Sequence, residues 1–171
     1  MERKGVITFK GNPLTLTGPE IKTGDTAPDF TVTGQDLKPV KLSDFKGQTV
    51  VLSVVPSLDT PVCGTQTKKF NQEAAALNAK VLTISLDLPF AQKRFCDAFK
   101  IQNVLVLSDY KDRDFSAKYG LLIKELGLLT RAVFVIGSNG KVSYAEIVKE
   151  VTQEPNYAGA LQKVKTAAAV A

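Results

Sequence analysis

Two cysteines are the residues of this chain best suited to covalent chemistry, and their surroundings narrow which chemistry that is. Cys63 follows a nearly continuous apolar run, Thr49-Val50-Val51-Leu52-Ser53-Val54-Val55, which reads as a strand buried on both faces of an α/β sheet. It stands at the start of a predicted helix over Cys63–Ala79, where Phe70, Ala74 and Leu77 share one face. Sites in open α/β sheets gather beyond the carboxyl ends of the strands. A helix N-terminus adds free N–H groups and partial positive charge, which favour a thiolate over a thiol. The plain alternative is a buried cysteine acting as a small hydrophobe, and position alone does not separate the two.

The segment Pro56-Ser57-Leu58-Asp59-Thr60-Pro61-Val62-Cys63 favours the thiolate. Thr60 precedes Cys63 by three residues, a spacing that brings a hydroxyl within reach of the sulfur and lets it orient a substrate carrying two oxygens. Thr60 also reads as an ordinary N-cap, and the two roles are compatible. Pro56 and Pro61 stiffen the loop and shield a thiolate from water. Arg131, directly before the apolar run Ala132–Ile136, offers a permanently charged fork of donors. Beside Cys63 it would stabilise the thiolate and bind an oxygen leaving group. Taken alone it reads as a surface arginine paired with Glu125 or Asp109.

Cys96 lies 33 residues after Cys63, in a predicted helix over Pro89–Lys100 whose Phe95 and Phe99 mark a buried face. It is either a core cysteine or a resolving thiol that attacks an oxidised Cys63. A disulfide needs Cα atoms about 4.4–6.8 Å apart. Two helices on a sheet seldom hold residues that close, so the second reading requires local unfolding around one cysteine or both.

The rest of the composition works by exclusion. The chain has 171 residues, which suits one domain spanning 1–171. It has no histidine, which removes Ser-His-Asp and Cys-His catalysis and every His metal site. Two cysteines cannot alone build a zinc site or a dense disulfide framework. Neither phosphate-binding glycine motif occurs, and Asp87, Asp109, Asp112 and Asp114 read as solvated surface rather than metal ligands. Without Cys-x-x-Cys, a thioredoxin-type dithiol is disfavoured. The net charge of +5 is scattered and lacks the aromatic-basic interleaving of a nucleic-acid groove. No apolar stretch suits a signal peptide or a membrane helix, so a cytoplasmic protein without a membrane partner is expected.

The elements that must position these residues follow from periodicity. Val6–Lys10 and Leu14–Leu16 form a predicted N-terminal hairpin around a Gly11-Asn12-Pro13 turn. Phe30–Thr33, Val81–Leu86, Val104–Ser108 and Ala132–Ile136 read as strands, as does Lys141–Val148 returning from an Asn-Gly turn. Leu42–Phe45 is a helical turn closed by Gly47, Asp112–Tyr119 a short helix closed by Gly120, and Pro155–Lys165 a last helix. The order describes a three-layer α/β domain with a central mixed sheet flanked by helices.

Pro56-x-x-x-Thr60-x-x-Cys63 resembles the active-site pattern of the peroxiredoxins, and the full eight-residue string resembles their thiol peroxidase subfamily. Asp87–Cys96, Arg131–Ile136 and Glu154-Pro155-Asn156-Tyr157 resemble it too, in the same order along the chain. The resemblance implies a thioredoxin-like fold with an N-terminal hairpin extension. It implies peroxide reduction by a peroxidatic cysteine at Cys63, an intrachain resolving cysteine at Cys96, and Pro56, Thr60 and Arg131 in the site. It further implies thioredoxin as reductant, a homodimer, and no metal, flavin or haem. A redox sensor without turnover is the rival class, and the Thr60, Cys63 and Arg131 set speaks against it.

Overall fold

The computed structural model describes residues 1–170, so the far end of the expected 1–171 domain lies just outside the described residues. The chain opens with antiparallel strands β1 (Glu2–Phe9) and β2 (Asn12–Thr17). The expected hairpin is there, but it turns at Lys10-Gly11, with φ of 50° and 82°, rather than at Gly11-Asn12-Pro13. Two successive left-handed residues match the twist of the flanking strands, and Asn12 and Pro13 already belong to β2.

The remaining elements are β3 (Thr31–Thr33), β4 (Pro39–Lys41), a 3-10 turn at Leu42–Phe45, β5 (Val50–Val54), α1 (Pro61–Ala74), β6 (Lys80–Ser85) and α2 (Pro89–Phe99). They continue with β7 (Leu105–Ser108), α3 (Asp114–Tyr119), β8 (Leu122–Ile123), β9 (Leu128–Leu129), β10 (Ala132–Ile136), β11 (Val142–Ile147) and α4 (Tyr157–Val170). Seven strands form the main sheet in the order β11-β10-β5-β6-β7-β3-β4. Strands β5, β6 and β7 are parallel, while β10 runs antiparallel to both β5 and β11. This is the expected mixed sheet. A second sheet, β1-β2-β8-β9, was not expected, because two-residue strands carry no readable alternation.

Every residue of β5 and of β10 is buried, as their unbroken apolar runs require. Leu52, Val54, Leu82 and Phe134 face Phe30, Phe115 and Tyr119 on one side of the sheet. Val51, Val81, Val133 and Val135 face Phe70, Cys63, Phe95 and Cys96 on the other, where α1, α2 and α4 lie. Phe30 packs edge-on against Phe115 and Tyr119 at 4.8 and 5.6 Å between ring centres.

Helix α1 starts two residues earlier than expected and stops five residues earlier. Pro61 takes the first helical position, where its fixed φ and missing N–H cost nothing. Helix α2 ends as expected, with Lys100 in the left-handed conformation and Ile101 N–H donating to Cys96 O at 3.0 Å.

Candidate active site

The carboxyl end of β5 runs into Pro56 and the loop before α1, where Thr60, in extended conformation, occupies the N-cap position. Cys63 is therefore the third helical residue rather than the first. Gly64 N–H donates to Thr60 O at 3.0 Å, so the N–H groups of Val62 and Cys63 have no helical carbonyl to bond. Cys63 is fully buried, as is Pro56, while Thr60 and Pro61 are exposed.

Arg131 reaches this sulfur from the neighbouring strand β10. It stands immediately before β10, and β10 pairs with β5, so the register places it beside the carboxyl end of β5. Its side chain is 2% exposed. Nη2 donates to Cys63 Sγ at 3.3 Å, Nη1 to Gln66 Oε1 at 2.9 Å and Nε to Val151 O at 2.8 Å. Gln66 Nε2 in turn donates to Ser53 Oγ of β5 at 2.8 Å. Arginine can only donate, so this chain of bonds fixes which way the Gln66 amide faces. The expected alternative partners are engaged elsewhere. Asp109 accepts from Phe115 and Ser116 N–H, and Glu125 accepts from Thr15 N–H. Among the described residues no carboxylate pairs with Arg131. A buried guanidinium held only by neutral groups calls for an anion, and a Cys63 thiolate would supply it.

The Thr60 hydroxyl is not on the sulfur. It donates to Ser57 O at 3.0 Å and makes no cap bond, because the loop folds back on itself. Asp87 shapes that loop. Its carboxylate accepts from Ser57 Oγ and from Leu58 N–H, each at 2.8 Å, and from Ser85 Oγ at 2.7 Å. Asp87 thus joins the Cys63 loop to the segment that starts α2, and is no mere solvated carboxylate. Asp114 likewise accepts from Thr31 N–H at 2.9 Å.

Cys96 lies in the last turn of α2 and belongs to the same apolar cluster as Cys63. Both thiols are free, and their polar partners differ. Cys96 Sγ accepts from Gln35 Nε2 at 3.4 Å and lines a cavity of about 440 Å³ with Val40, Ile101 and Leu107. Burial pushes its thiol up from the ordinary value, against the pull of Gln35. The structure thus brings Arg131 onto Cys63, leaves Thr60 and Pro56 in the loop that leads to it, and keeps Cys96 on the neighbouring helix.

Gln66, Ser53 and Val151 did not emerge from the sequence as site residues, and Asp87 reads there as solvated surface. Only Gln66 left a usable signal, because three residues after Cys63 it must share that face of the helix.

Known proteins resemble this chain over nearly its whole length. The redoxin family profile matches residues 22–161. The thiol peroxidase of Halalkalibacterium halodurans is 54% identical over 94% of this chain and 98% of its own length. That of Bacillus subtilis is 53% identical over 93% of this chain and 96% of its own. A peroxiredoxin-like protein from Aquifex aeolicus has a solved structure that superposes with a TM-score of 0.90 at 50% identity. That match covers 96% of this chain and 97% of the other. With the family profile running through Cys63, Cys96 and Arg131, and full-length relatives sharing about half its residues, this chain belongs to the redoxin family.

Proposed function

We propose that this thiol peroxidase works through Cys63 as the attacking thiolate, with Arg131 as its counter-charge. The observation that carries the reading is the buried guanidinium, unpaired by any described carboxylate and 3.3 Å from a sulfur at a helix N-terminus. Cys63 S⁻ attacks one oxygen of a hydroperoxide, the O–O bond breaks, and the other oxygen leaves with the electron pair. That oxygen takes up a proton and departs as water or an alcohol, leaving Cys63 as a sulfenic acid. Arg131 and the free N–H groups of Val62 and Cys63 stabilise the charge that builds on the departing oxygen. Thr60 keeps hydroxyl lone pairs free to accept from the peroxide O–H, and Pro56 closes the pocket against water.

Cys96 then attacks the sulfenic sulfur. Water leaves and an intrachain Cys63–Cys96 disulfide forms. The last turn of α2 must open for this, and a terminal helical turn is the part that opens most easily. A thioredoxin dithiol reduces the disulfide, and the cycle needs no metal or organic cofactor. The whole of 1–171 acts as one domain, in the cytoplasm and as a homodimer. Among the described residues no helix is long and apolar enough to cross a membrane.

Peroxide consumption coupled to thioredoxin, thioredoxin reductase and NADPH tests the reading. Cys63→Ser is expected to abolish turnover. Cys96→Ser is expected to react once and then stall. Undiminished turnover by Cys63→Ser would remove Cys63 from the mechanism.

A further inference from the structure

The mechanism leaves one partner of Arg131 unexplained: the backbone carbonyl of Val151, which accepts from Nε at 2.8 Å. A carbonyl in a loop aims a guanidinium only if the loop itself is held. Residues 148–152 follow β11; Val148 N–H donates to Arg131 O at 3.0 Å, and beyond it the N-terminal hairpin holds the segment. Thr8 N–H donates to Lys149 O at 2.7 Å, and Val151 N–H donates to Thr8 O at 2.9 Å. The Val151 side chain, 3% exposed, is buried with Ile7, Leu16 and Ile123 in a small core that the hairpin closes.

Glu150 completes the clamp. Its Oε1 accepts from Gly11 N–H at the hairpin turn at 2.8 Å and from Thr8 Oγ1 at 3.0 Å. Its Oε2 accepts from Thr152 N–H at 2.9 Å and from Thr152 Oγ1 at 2.7 Å. The carboxylate thus binds the hairpin with one oxygen and the residue just past Val151 with the other. Those four bonds, chiefly those from Thr152, hold its acidity near a pKa of about 2.

We propose that the N-terminal hairpin is part of the catalytic apparatus: through Glu150 it fixes the Val151 carbonyl, which orients Arg131 toward Cys63. Glu150 is a positioning residue, since it touches neither the sulfur nor the arginine. The geometry separates the guanidinium into three jobs. Gln66 of α1 holds one nitrogen, Val151 holds a second from the hairpin side, and the third is left for the sulfur. With the Val151 anchor loose, the fork still carries its charge but no longer presents it at one angle. For interactions this directional, a small misplacement costs rate.

The inference rests on Arg131 acting at Cys63, and the test separates the two claims. In full-length protein carrying Cys96→Ser, so that Cys63 is the only thiol, two quantities are measured for each variant. They are the pH profile of Cys63 alkylation and the rate of its first reaction with hydrogen peroxide, with folding followed by thermal denaturation. Glu150→Ala is expected to move the alkylation profile to higher pH and to slow the peroxide reaction about three- to tenfold. If Glu150→Ala does not fold, Glu150→Gln, which keeps an acceptor for Gly11 and Thr8, is expected to show the same shift at about twofold. Glu125→Ala is the matched control. Its carboxylate also ties the hairpin, through Thr15 N–H, but makes no hydrogen bond to residues 148–152. It is expected to leave both quantities unchanged.

A folded Glu150 variant with parental profile and rate, beside an Arg131→Ala variant that changes both, overturns the proposal and spares the site. Equal shifts in Glu125→Ala and Glu150→Ala overturn it as well, because hairpin loosening in general would then be the cause. An Arg131→Ala variant that moves neither quantity removes the arginine from the site, and the proposal with it.

Discussion

Arg131 illustrates how a charge is kept buried by bonds that do not neutralise it. Val151 O, Gln66 Oε1 and Cys63 Sγ each accept one of its donors, and only the sulfur can become an anion. Lysine would retain the charge but could not span three acceptors in one plane. Arg131→Lys is therefore expected to slow the peroxide reaction by about a hundredfold or more in stopped-flow measurements. Cys96 follows different electrostatics. Burial holds its thiol above the ordinary value, so at neutral pH it is protonated, and only the thiolate attacks a sulfenic acid. The disulfide-forming step is expected to accelerate as pH rises from neutrality and to go on accelerating past the ordinary thiol value of about 8.5. A flat profile would mean that opening of α2, not ionisation of Cys96, limits the step. At this scale the sequence was legible where residue types are rare. Two cysteines, one arginine before a strand and one Pro-x-x-x-Thr-x-x-Cys string stand out. Gln66 and Ser53 are ordinary residues for a helix and a strand, and only the fold shows them bonded to one another.

The elements carry the site through two joints. The first is strand pairing: the β5–β10 register sets Ala132 opposite Val54, which puts Arg131 at the level of the loop leaving β5. The second is Asp87, whose carboxylate holds Ser57 and Leu58 of that loop while its own backbone leads into α2. Hydrogen bonds to a carboxylate contribute about 1.5–3 kcal/mol each, with the net loss reduced by exposure. Asp87→Ala is expected to lower stability by about 2 kcal/mol in urea denaturation and to slow the peroxide reaction, because the loop that carries Thr60 loses its anchor. Unchanged stability would show that the loop is held by Ser57 O and Thr60 alone. Helix and strand positions near the site were readable, since apolar runs such as Val50–Val54 and Ala132–Ile136 admit little else. The C-terminal end of α1 was misplaced because Leu77 keeps the helical spacing but lies beyond the helix. There it packs against the same apolar cluster from the following turn.

Over the whole molecule, the hairpin belongs to the small sheet β1-β2-β8-β9 and is hydrogen-bonded to residues 148–152 after β11. Glu150 is held far below the ordinary carboxylate range, near 2. Its bonds therefore contribute fully above about pH 4.5, where the unfolded group is ionised, and are lost as the pH falls through the folded value. The difference in melting temperature between the parent and Glu150→Ala is expected to be constant above pH 5 and to shrink toward pH 2. A difference that grows on acidification would contradict the latch. The hairpin was legible from alternation, but its clamp was not, because the partners are separated by up to 142 positions and only the fold brings them together. The account as a whole rests on which sulfur meets the peroxide. The direct measurement adds one equivalent of hydrogen peroxide to the reduced protein, traps it with dimedone and N-ethylmaleimide, and maps the peptides by mass spectrometry. A Cys63–Cys96 disulfide is expected within one chain of the parent, and dimedone on Cys63 in Cys96→Ser. Dimedone on Cys96 in the parent, or disulfides found only between chains, would contradict this expectation.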